Sequence, residues 1–204
     1  MFSNALHSTG DDCLALRVAV FGGSFNPPHV GHVLAAAYAL SIEAIDRVLV
    51  VPVFRHPFSK ELAPFDDRLR MCELAFRVLP QAEVSDVERR LGGDSLTLRT
   101  LERLRDDHPA WSMRLVLGSD VVGDLPKWHR FDRIRELAPP IFLQRAGSIE
   151  PGLGPAVLPE ISSTAVRAAM RAGDRDALAR TVPRAVVEHA LARGLYGAVT
   201  PETR

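Results

Sequence analysis

The sequence is poor in cysteine, and its hydrophobic residues never form a long uninterrupted run. Its two cysteines, Cys13 and Cys72, do not have the Cys-x-x-Cys spacing of a metal or redox site, and Cys72 lies in an apolar helical pattern that is typical of an inert buried thiol. No apolar stretch is long enough to cross a bilayer, and the N-terminus lacks the basic segment and apolar core of a signal peptide. We therefore expect a cytoplasmic protein that does not associate with membranes.

An excess of charge of either sign is also missing. Lys and Arg together number 25, and so do Asp and Glu, which gives a formal net charge of +0. This balance argues against a nucleic-acid-binding protein that relies on a broad basic face, but it is compatible with a local phosphate pocket. A chain of 204 residues can bury a sizeable core without disulfides or metals.

The segment from Val18 to Leu40 predicts a buried strand, a glycine loop and a helix. The apolar, β-branched run Val18–Phe21 is broken by Gly22-Gly23, and the residues from Val30 onwards suit a helix. Paired glycines let the backbone approach a ligand closely, and a helix N-terminus offers unpaired N–H groups and a partial positive charge. The segment therefore predicts a phosphate site.

Two histidines, His29 and His32, lie at the first turn of this predicted helix. A spacing of three residues places them on one face. Imidazole N–H groups in that position could stabilise charge on a phosphoryl group during transfer. The helix dipole lowers the resting pKa of the imidazoles and an arriving phosphate raises it, and the sequence does not decide between the two effects.

These residues resemble a known family. The run Gly22–His32, GGSFNPPHVGH, resembles the phosphate-binding signature of the nucleotidyltransferase superfamily with a His-x-Gly-His motif, with Ser24 and Asn26 at positions where the family usually has Thr and Asp. Later segments narrow the resemblance to the nicotinate-nucleotide adenylyltransferases. The resemblance extends from Arg17 to Tyr196.

Short apolar runs alternate with helical segments along the rest of the chain. This pattern predicts an α/β fold: a Rossmann-like parallel sheet of about five strands with flanking helices and a small C-terminal helical part. We expect one continuous domain, with a loose N-terminal extension over residues 1–16, a nucleotide-binding α/β core over 17–160, and a C-terminal helical part over 161–204. Further strands are predicted at 48–53, 82–87, 113–117 and 141–143.

Several capping and surface assignments accompany this pattern. Asp66 and Asp67 are candidates to cap a helix, and Ser95 or Asp94 is a candidate to cap the next. The segment 89–94 reads as a polar turn. Arg68 is expected to face solvent or an ion pair.

Two further segments complete the predicted nucleotide site. Gly118 and Asp120 follow the fourth strand, next to the glycine loop if the sheet reverses direction between its first and fourth strands, so Asp120 could accept hydrogen bonds from ribose hydroxyls. In the run ISSTAVR, from Ile161 to Arg167, hydroxyl groups, a helix N-terminus and a guanidinium converge and predict a second anion site. This run also matches the superfamily's Ile-Ser-Ser-Thr-x-x-Arg signature.

The resemblance implies additional roles. Lys60, with Arg55 and His56 behind it, corresponds to the family's basic residue that contacts the triphosphate. Ser95 and Thr97 lie in a segment similar to the family's Ser-Tyr-Thr signature, with Leu in place of Tyr at position 96, and Trp128 corresponds to the tryptophan that stacks on the pyridine base.

Together, the motifs and the resemblance give a set of candidate residues. Catalysis is assigned to His29, His32, Lys60 and Arg167. ATP binding is assigned to Gly22, Gly23, Ser24, Phe25, His29, His32, Gly118, Asp120, Ile161, Ser162, Ser163, Thr164 and Arg167. Mononucleotide binding is assigned to Ser24, Asn26, Ser95, Thr97 and Trp128, and no residue is assigned to a metal.

The resemblance implies transfer of the adenylyl group of ATP to nicotinate mononucleotide in NAD biosynthesis, with Mg²⁺ bound to the ATP. No carboxylate cage and no nucleophile paired with a base is evident, which favours direct in-line transfer. The same chemistry on nicotinamide mononucleotide or phosphopantetheine is an alternative, and so is a nucleotide-binding sensor without catalysis. No nucleic-acid partner is expected, and the chain could form a homo-oligomer.

Overall fold

The structure is a computed structural model that describes residues 15–55 and 61–198. Within these residues, five parallel strands form one sheet in the order β3-β2-β1-β4-β5. The strands are β1 Leu16–Gly23, β2 Arg47–Pro52, β3 Ala82–Val84, β4 Trp111–Gly118 and β5 Pro140–Leu143. The predicted fold class is therefore confirmed.

Helices connect and flank the strands. They are α1 Val30–Ile42, α2 Phe65–Phe76, α3 Val87–Leu91, α4 Thr97–Asp107, α5 Phe131–Leu137, α6 Ser163–Ala172, α7 Arg175–Thr181 and α8 Arg184–Ala192. Two 3₁₀ segments, Ser119–Lys127 and Leu195–Gly197, follow β4 and α8.

The strand order reverses at β1, which lies between β2 and β4. Val20 of β1 pairs with Leu49 of β2 on one side and with Leu115 of β4 on the other. All strands run parallel, so the loops after β1 and β4 leave the sheet at the same edge and open a crevice between them. Gly22-Gly23 and Gly118 lie at this edge.

Successive side chains along each strand point to alternate faces of the sheet, and both faces are buried. One face carries Ala19 and Phe21 and packs with α1, α2 and the C-terminal helices α6 to α8. The other face carries Val18 and Val20 and packs with α4 and α5. Because successive side chains of a strand point to opposite faces, a run of apolar residues fills both layers.

Several local predictions were wrong. The helix after the loop begins at Phe65 with Pro64 as N-cap, so Asp66 and Asp67 lie in its first turn, where they still complement the helix dipole. The third strand ends at Val84, and the predicted polar turn contains the end of α3. Helix α6 ends at Gly173, its C-cap residue, which takes a left-handed conformation with φ 66°.

Cys72 is fully buried in α2, and burial raises the pKa of its thiol well above the ordinary value. A thiol that stays protonated is a poor nucleophile, which agrees with the structural role predicted for it. Along the described part of the chain, no helix is both long and apolar enough to cross a membrane.

Candidate active site

A cavity of about 640 Å³ opens at the carboxyl ends of β1 and β4. Its walls come from segments far apart in the sequence, and among the predicted site residues it is lined by Gly22, Gly23, Ser24, Phe25, His29, His32, Ser95, Thr97, Gly118, Asp120, Trp128, Ser162, Ser163, Thr164 and Arg167. The topology thus brings the two predicted anion sites and the predicted pyridine contacts into one cleft.

Arginine side chains hold the glycine loop by its backbone. Arg68 donates from Nη1 to the carbonyl oxygen of Ser24 at 3.0 Å and from Nε to that of Ala63 at 2.9 Å. Arg167 donates from Nη1 to the carbonyl oxygen of Asn26 at 2.8 Å. Only 1% of Arg68 is exposed, so its predicted solvent or ion-pair role was wrong. It is buried because backbone carbonyls, which the sequence pattern does not reveal, satisfy its N–H groups.

His29 and His32 meet at the N-terminus of α1. His29 is the N-cap residue, and its backbone N–H donates to Nδ1 of His32 at 3.1 Å. The ring centroids lie 3.8 Å apart. Because Nδ1 of His32 accepts a hydrogen bond, its proton must be on Nε2 in the neutral ring. His32 is thereby set as a donor through Nε2.

The environment keeps both imidazoles neutral. Burial lowers the pKa of His29 to about 4, with a further contribution from the positive charge of Arg145. Burial lowers the pKa of His32 well below its ordinary value, and the neighbouring His29 and Arg145 add to the effect. The sequence left open whether the resting imidazoles are protonated. Desolvation decides that they are neutral, and fixed positive charge is the smaller cause.

The His29 side chain has an unused polar atom. His29 is 1% exposed, and its Nδ1 has no hydrogen-bond partner among the described residues. An unpaired buried nitrogen next to a cavity is costly unless a ligand or water reaches it. We infer that His29 is poised to bind a group that enters the cleft.

The N-terminus of α6 is attached to the glycine loop. Ser162 is its N-cap and accepts from the N–H of Ala165 at 3.1 Å, while the Ser163 hydroxyl donates to the carbonyl oxygen of Pro27 at 2.9 Å. Nη2 of Arg167 donates to Oγ1 of Thr164 at 3.3 Å. The bond from Ser163 thus attaches the N-terminus of α6 to the glycine loop.

Arg145 is a cavity residue that sequence reasoning missed. It follows β5 at the ligand-binding edge of the sheet, and its backbone N–H donates to Oγ of Ser119 at 3.1 Å. Its Nη1 lies 3.6 Å from Oδ2 of Asp120. The available sequence signal is its position just after a strand, at the carboxyl edge of the sheet.

Gly118 lies against the carboxylate of Asp120. A Cβ atom at Gly118 would collide with Oδ1 of Asp120, so a side chain here would displace the carboxylate. The absence of a side chain leaves Asp120 folded over the strand end and in the cavity wall. This arrangement is compatible with the predicted hydrogen bonds to ribose.

The other end of the cleft is formed by Ser95, Thr97 and Trp128, which all line the cavity. Ser95 does not cap α4, whose N-cap is Leu96; instead its Oγ accepts from the backbone N–H groups of Phe54 at 3.0 Å and Arg55 at 3.1 Å. The predicted capping role was therefore wrong, because these N–H groups compete for the hydroxyl. Trp128 packs edge-on against Phe131 at 6.1 Å between ring centroids.

Two predicted residues lie outside the cavity wall. Asn26 is 3% exposed, accepts from the N–H of Ala63 at 3.0 Å and donates to the carbonyl oxygen of Glu61 at 3.4 Å, so its side chain connects two loops. Ile161 packs near His29 and Gly31 as part of the core. The predicted triphosphate contact Lys60 lies outside the described residues, as does His56.

A parallel sheet with a glycine loop and a helix N-terminus in one cavity at its switch point is the architecture of the Rossmann-like nucleotide-binding folds. Residues 20–169 match the family model described as cytidylyltransferase-like, so the chain belongs to that family.

Sequence identity to curated relatives shows which branch of this family the chain belongs to. The probable nicotinate-nucleotide adenylyltransferase of Anaeromyxobacter dehalogenans (strain 2CP-C) is 46% identical over 183 residues, which are 88% of this chain and 96% of the relative. That of Myxococcus xanthus (strain DK1622) is 40% identical over 185 residues, which are 90% and 96% of the two chains. The chain is therefore a member of the nicotinate-nucleotide adenylyltransferase family.

A solved structure agrees with the fold. Nicotinic acid mononucleotide adenylyltransferase of Plasmodium falciparum, in complex with NaAD, superposes with a TM-score of 0.77 at 19% identity and covers 90% of this chain and 98% of its own. At this identity the likeness supports the fold alone.

Proposed function

We propose that this protein transfers the adenylyl group of ATP to nicotinate mononucleotide, giving nicotinate adenine dinucleotide and pyrophosphate for NAD biosynthesis. One observation carries the proposal: the buried histidine pair lines one cleft of about 640 Å³ together with the glycine loop and the N-terminus of α6, the two segments assigned to phosphate binding. The family membership supports the choice of acceptor.

The reaction we propose is a direct in-line displacement. An oxygen of the acceptor's 5′-phosphate forms a bond to the α-phosphorus of ATP, while the bond from that phosphorus to the bridging oxygen breaks and pyrophosphate leaves. Such a transfer needs positioning and charge stabilisation more than covalent help from the protein. No covalent enzyme intermediate is required.

His32 and His29 supply neutral donors in this scheme. The Nε2–H group of His32 would donate to an oxygen that gains charge in the transition state. A neutral donor is suited to this task, because it does not hold the ground-state phosphate as tightly as a cation and its contribution grows as the charge develops. The burial that lowers both pKa values also strengthens these hydrogen bonds.

Arg167 and Lys60 are assigned to the β- and γ-phosphates. The two bonds of Arg167 to Asn26 and Thr164 use two of the five N–H groups of a guanidinium, so others can bind phosphate oxygens. Ser163 and Thr164 lie at the N-terminus of α6, where backbone N–H groups favour an anion. Asp120 would bind ribose hydroxyls, and Thr97 and Trp128 would contact the mononucleotide.

Magnesium would enter as part of the substrate, bound to the triphosphate. In residues 15–55 and 61–198 no group of three or more His, Cys, Asp or Glu side chains is placed to hold a metal ion. Phosphate oxygens and water are sufficient ligands for Mg²⁺. A cytoplasmic location and the possibility of a homo-oligomer remain predictions.

The test is pyrophosphate release from ATP and Mg²⁺ with nicotinate mononucleotide, nicotinamide mononucleotide or phosphopantetheine offered in parallel. We expect release with nicotinate mononucleotide well above the other two. Release mainly with another acceptor would support adenylyl transfer and refute nicotinate mononucleotide as the acceptor. ATP binding without release in any reaction would indicate a nucleotide sensor.

A further inference from the structure

Glu88 is a buried carboxylate in the cavity wall to which neither the sequence nor the scheme above gives a role. It lies in α3 and is 8% exposed. Its Oε2 accepts from the backbone N–H of Phe54 at 2.9 Å, and its Oε1 accepts from the hydroxyl of Thr100 at 3.2 Å. A carboxylate removed from water is costly unless donors of this kind satisfy it.

The bonds of Glu88 join three segments that meet at the acceptor end of the cleft. Phe54 follows β2, Glu88 is in α3, and Thr100 is in the second turn of α4. Ser95 reinforces the connection, because its Oγ accepts from the N–H of Phe54 and its own N–H donates to the carbonyl oxygen of Arg55 at 3.0 Å. Glu88 is thus the centre of a network that spans the cavity wall.

The network determines where the N-terminus of α4 lies. Thr97 is the first residue of that helix, and Thr100 is one turn further on. A bond from Glu88 to Thr100 therefore fixes the N-terminal end of the helix, while the bond to Phe54 attaches the chain after β2 to the same place. Ser95 and Thr97 at this place line the cavity in which the mononucleotide would bind.

The electrostatics agree with a role in positioning. Burial raises the pKa of Glu88, and hydrogen bonds from Ser95, Phe54 and Thr100 and the charge of Arg68 oppose the rise. Among the described residues, Glu88 forms no salt bridge within 4.0 Å, so N–H and O–H donors from separate segments balance its carboxylate. Such a group is sensitive to the loss of any one donor.

We propose that Glu88 is a positioning residue for the acceptor nucleotide, which binds Phe54 after β2 and Thr100 of α4 and so holds Ser95 and Thr97 where the mononucleotide requires them. This inference rests on the proposed function, since it presupposes that a mononucleotide occupies this end of the cleft. The residue acts through Phe54, Ser95 and Thr100, and it need not touch the substrate.

The experiment is a comparison of KM values in the pyrophosphate assay for Glu88→Ala, Glu88→Gln and wild type. For Glu88→Ala we expect the KM for nicotinate mononucleotide to rise ~10-fold or more and the KM for ATP to change less than ~2-fold, because Glu88 bonds to Phe54 and Thr100 and to none of the residues proposed to bind ATP. Glu88→Gln keeps the shape and an acceptor for Phe54, so we expect it to restore most of the acceptor affinity. Glu83→Ala, an exposed glutamate on β3, is the matched control and should leave both KM values unchanged.

Thr100→Val provides a second variant if Glu88→Ala does not fold. It keeps the size of a buried side chain and removes the hydroxyl donor, and we expect a rise of ~3-fold in the acceptor KM alone. Equal rises in both KM values, or an unchanged acceptor KM in folded variants, would overturn the role of Glu88. A wild-type protein that releases no pyrophosphate would instead overturn the proposed function, and the inference with it.

Discussion

At the scale of single residues, one backbone hydrogen bond decides what His32 can do. The bond from the N–H of His29 to Nδ1 leaves the proton on Nε2 and disfavours the doubly protonated ring, in which Nδ1 would also be a donor. Burial acts in the same direction. His32 is therefore suited to donate to a phosphoryl oxygen, and unsuited to act as a general base through Nδ1.

The first prediction concerns this donor. His32→Ala should leave the Kd for ATP within a few-fold of wild type and reduce turnover by ~100-fold or more, because the lost contact strengthens only as charge develops in the transition state. Single-turnover kinetics and ATP titrations measure the two quantities. Equal losses in binding and turnover would refute the role.

The second prediction follows from the pKa of His29, which is lowered from 6.5 to about 4 in the folded protein. Between these values the unfolded chain binds a proton that the folded chain does not, so the free energy of unfolding should fall as the pH drops from about 6.5 towards 4. The contribution is on the order of 1–3 kcal/mol. Above pH 6.5 it should be constant.

Urea unfolding of wild type and His29→Gln at several pH values isolates this contribution. We expect the two proteins to differ in the slope of stability against pH only below about pH 6.5. Parallel curves over the whole range would show that folding does not lower the pKa of His29.

At the scale of elements, the glycine loop owes its position to the helices behind it. Arg68 of α2 and Arg167 of α6 bind its carbonyl oxygens, and Ser163 of α6 binds Pro27. Donors that hold the carbonyl oxygens leave the N–H groups of the loop and of α1 for a ligand. The proposed phosphate site therefore depends on contacts among three helices and one strand end.

The third prediction tests this arrangement. Arg68→Met should lower the free energy of unfolding by about 2–3 kcal/mol and weaken ATP binding, because it leaves the buried carbonyls of Ser24 and Ala63 without donors. Arg70→Met on the same helix is the control; Arg70 is exposed and pairs with Glu73, and its loss should cost less than about 0.5 kcal/mol. Equal effects of the two substitutions on stability and ATP affinity would contradict the role of Arg68.

At the scale of the whole molecule, the sheet and the C-terminal helices form one core. Val166, Met170, Val186 and Ala190 from α6 and α8 belong to the same buried cluster as Phe21 of β1. Nε2 of His189 in α8 lies 3.0 Å from Oδ1 of the buried Asp67 in α2, and Nε of Arg193, the residue after α8, forms a salt bridge to the same oxygen at 3.0 Å. We propose that the C-terminal helices unfold together with the core.

The fourth prediction concerns this cooperative unit. Because ATP would bridge the glycine loop and α6, a concentration of about 100 times Kd should stabilise the folded state by about 2.7 kcal/mol and raise Tm by about 5–10 °C. Differential scanning fluorimetry with Mg²⁺-ATP, against inorganic phosphate at equal ionic strength, measures the shift. Arg167→Ala should show a clearly smaller shift, and an unchanged shift would refute the bridging role of that residue.

The sequence by itself determined the order of strands and helices, the position of the glycine loop and the α6 signature. These features depend on local properties: apolar runs, glycine at a strand end, hydroxyl residues at a helix start. The reversal of the sheet between β1 and β4 was only a condition at the level of sequence, because local patterns do not set strand order, and the packed sheet establishes it.

Only the tertiary structure decided which charged and polar residues are buried and what satisfies them. The sequence predicted that Arg68 faces solvent or an ion pair and that Ser95 or Asp94 caps a helix. In the fold, a backbone carbonyl oxygen accepts from Arg68, and a backbone N–H group donates to Ser95. Arg145 and Glu88 enter the cleft through contacts between segments distant in the chain. Burial and partner identity are properties of the packed molecule, and they also set the protonation state of the two histidines.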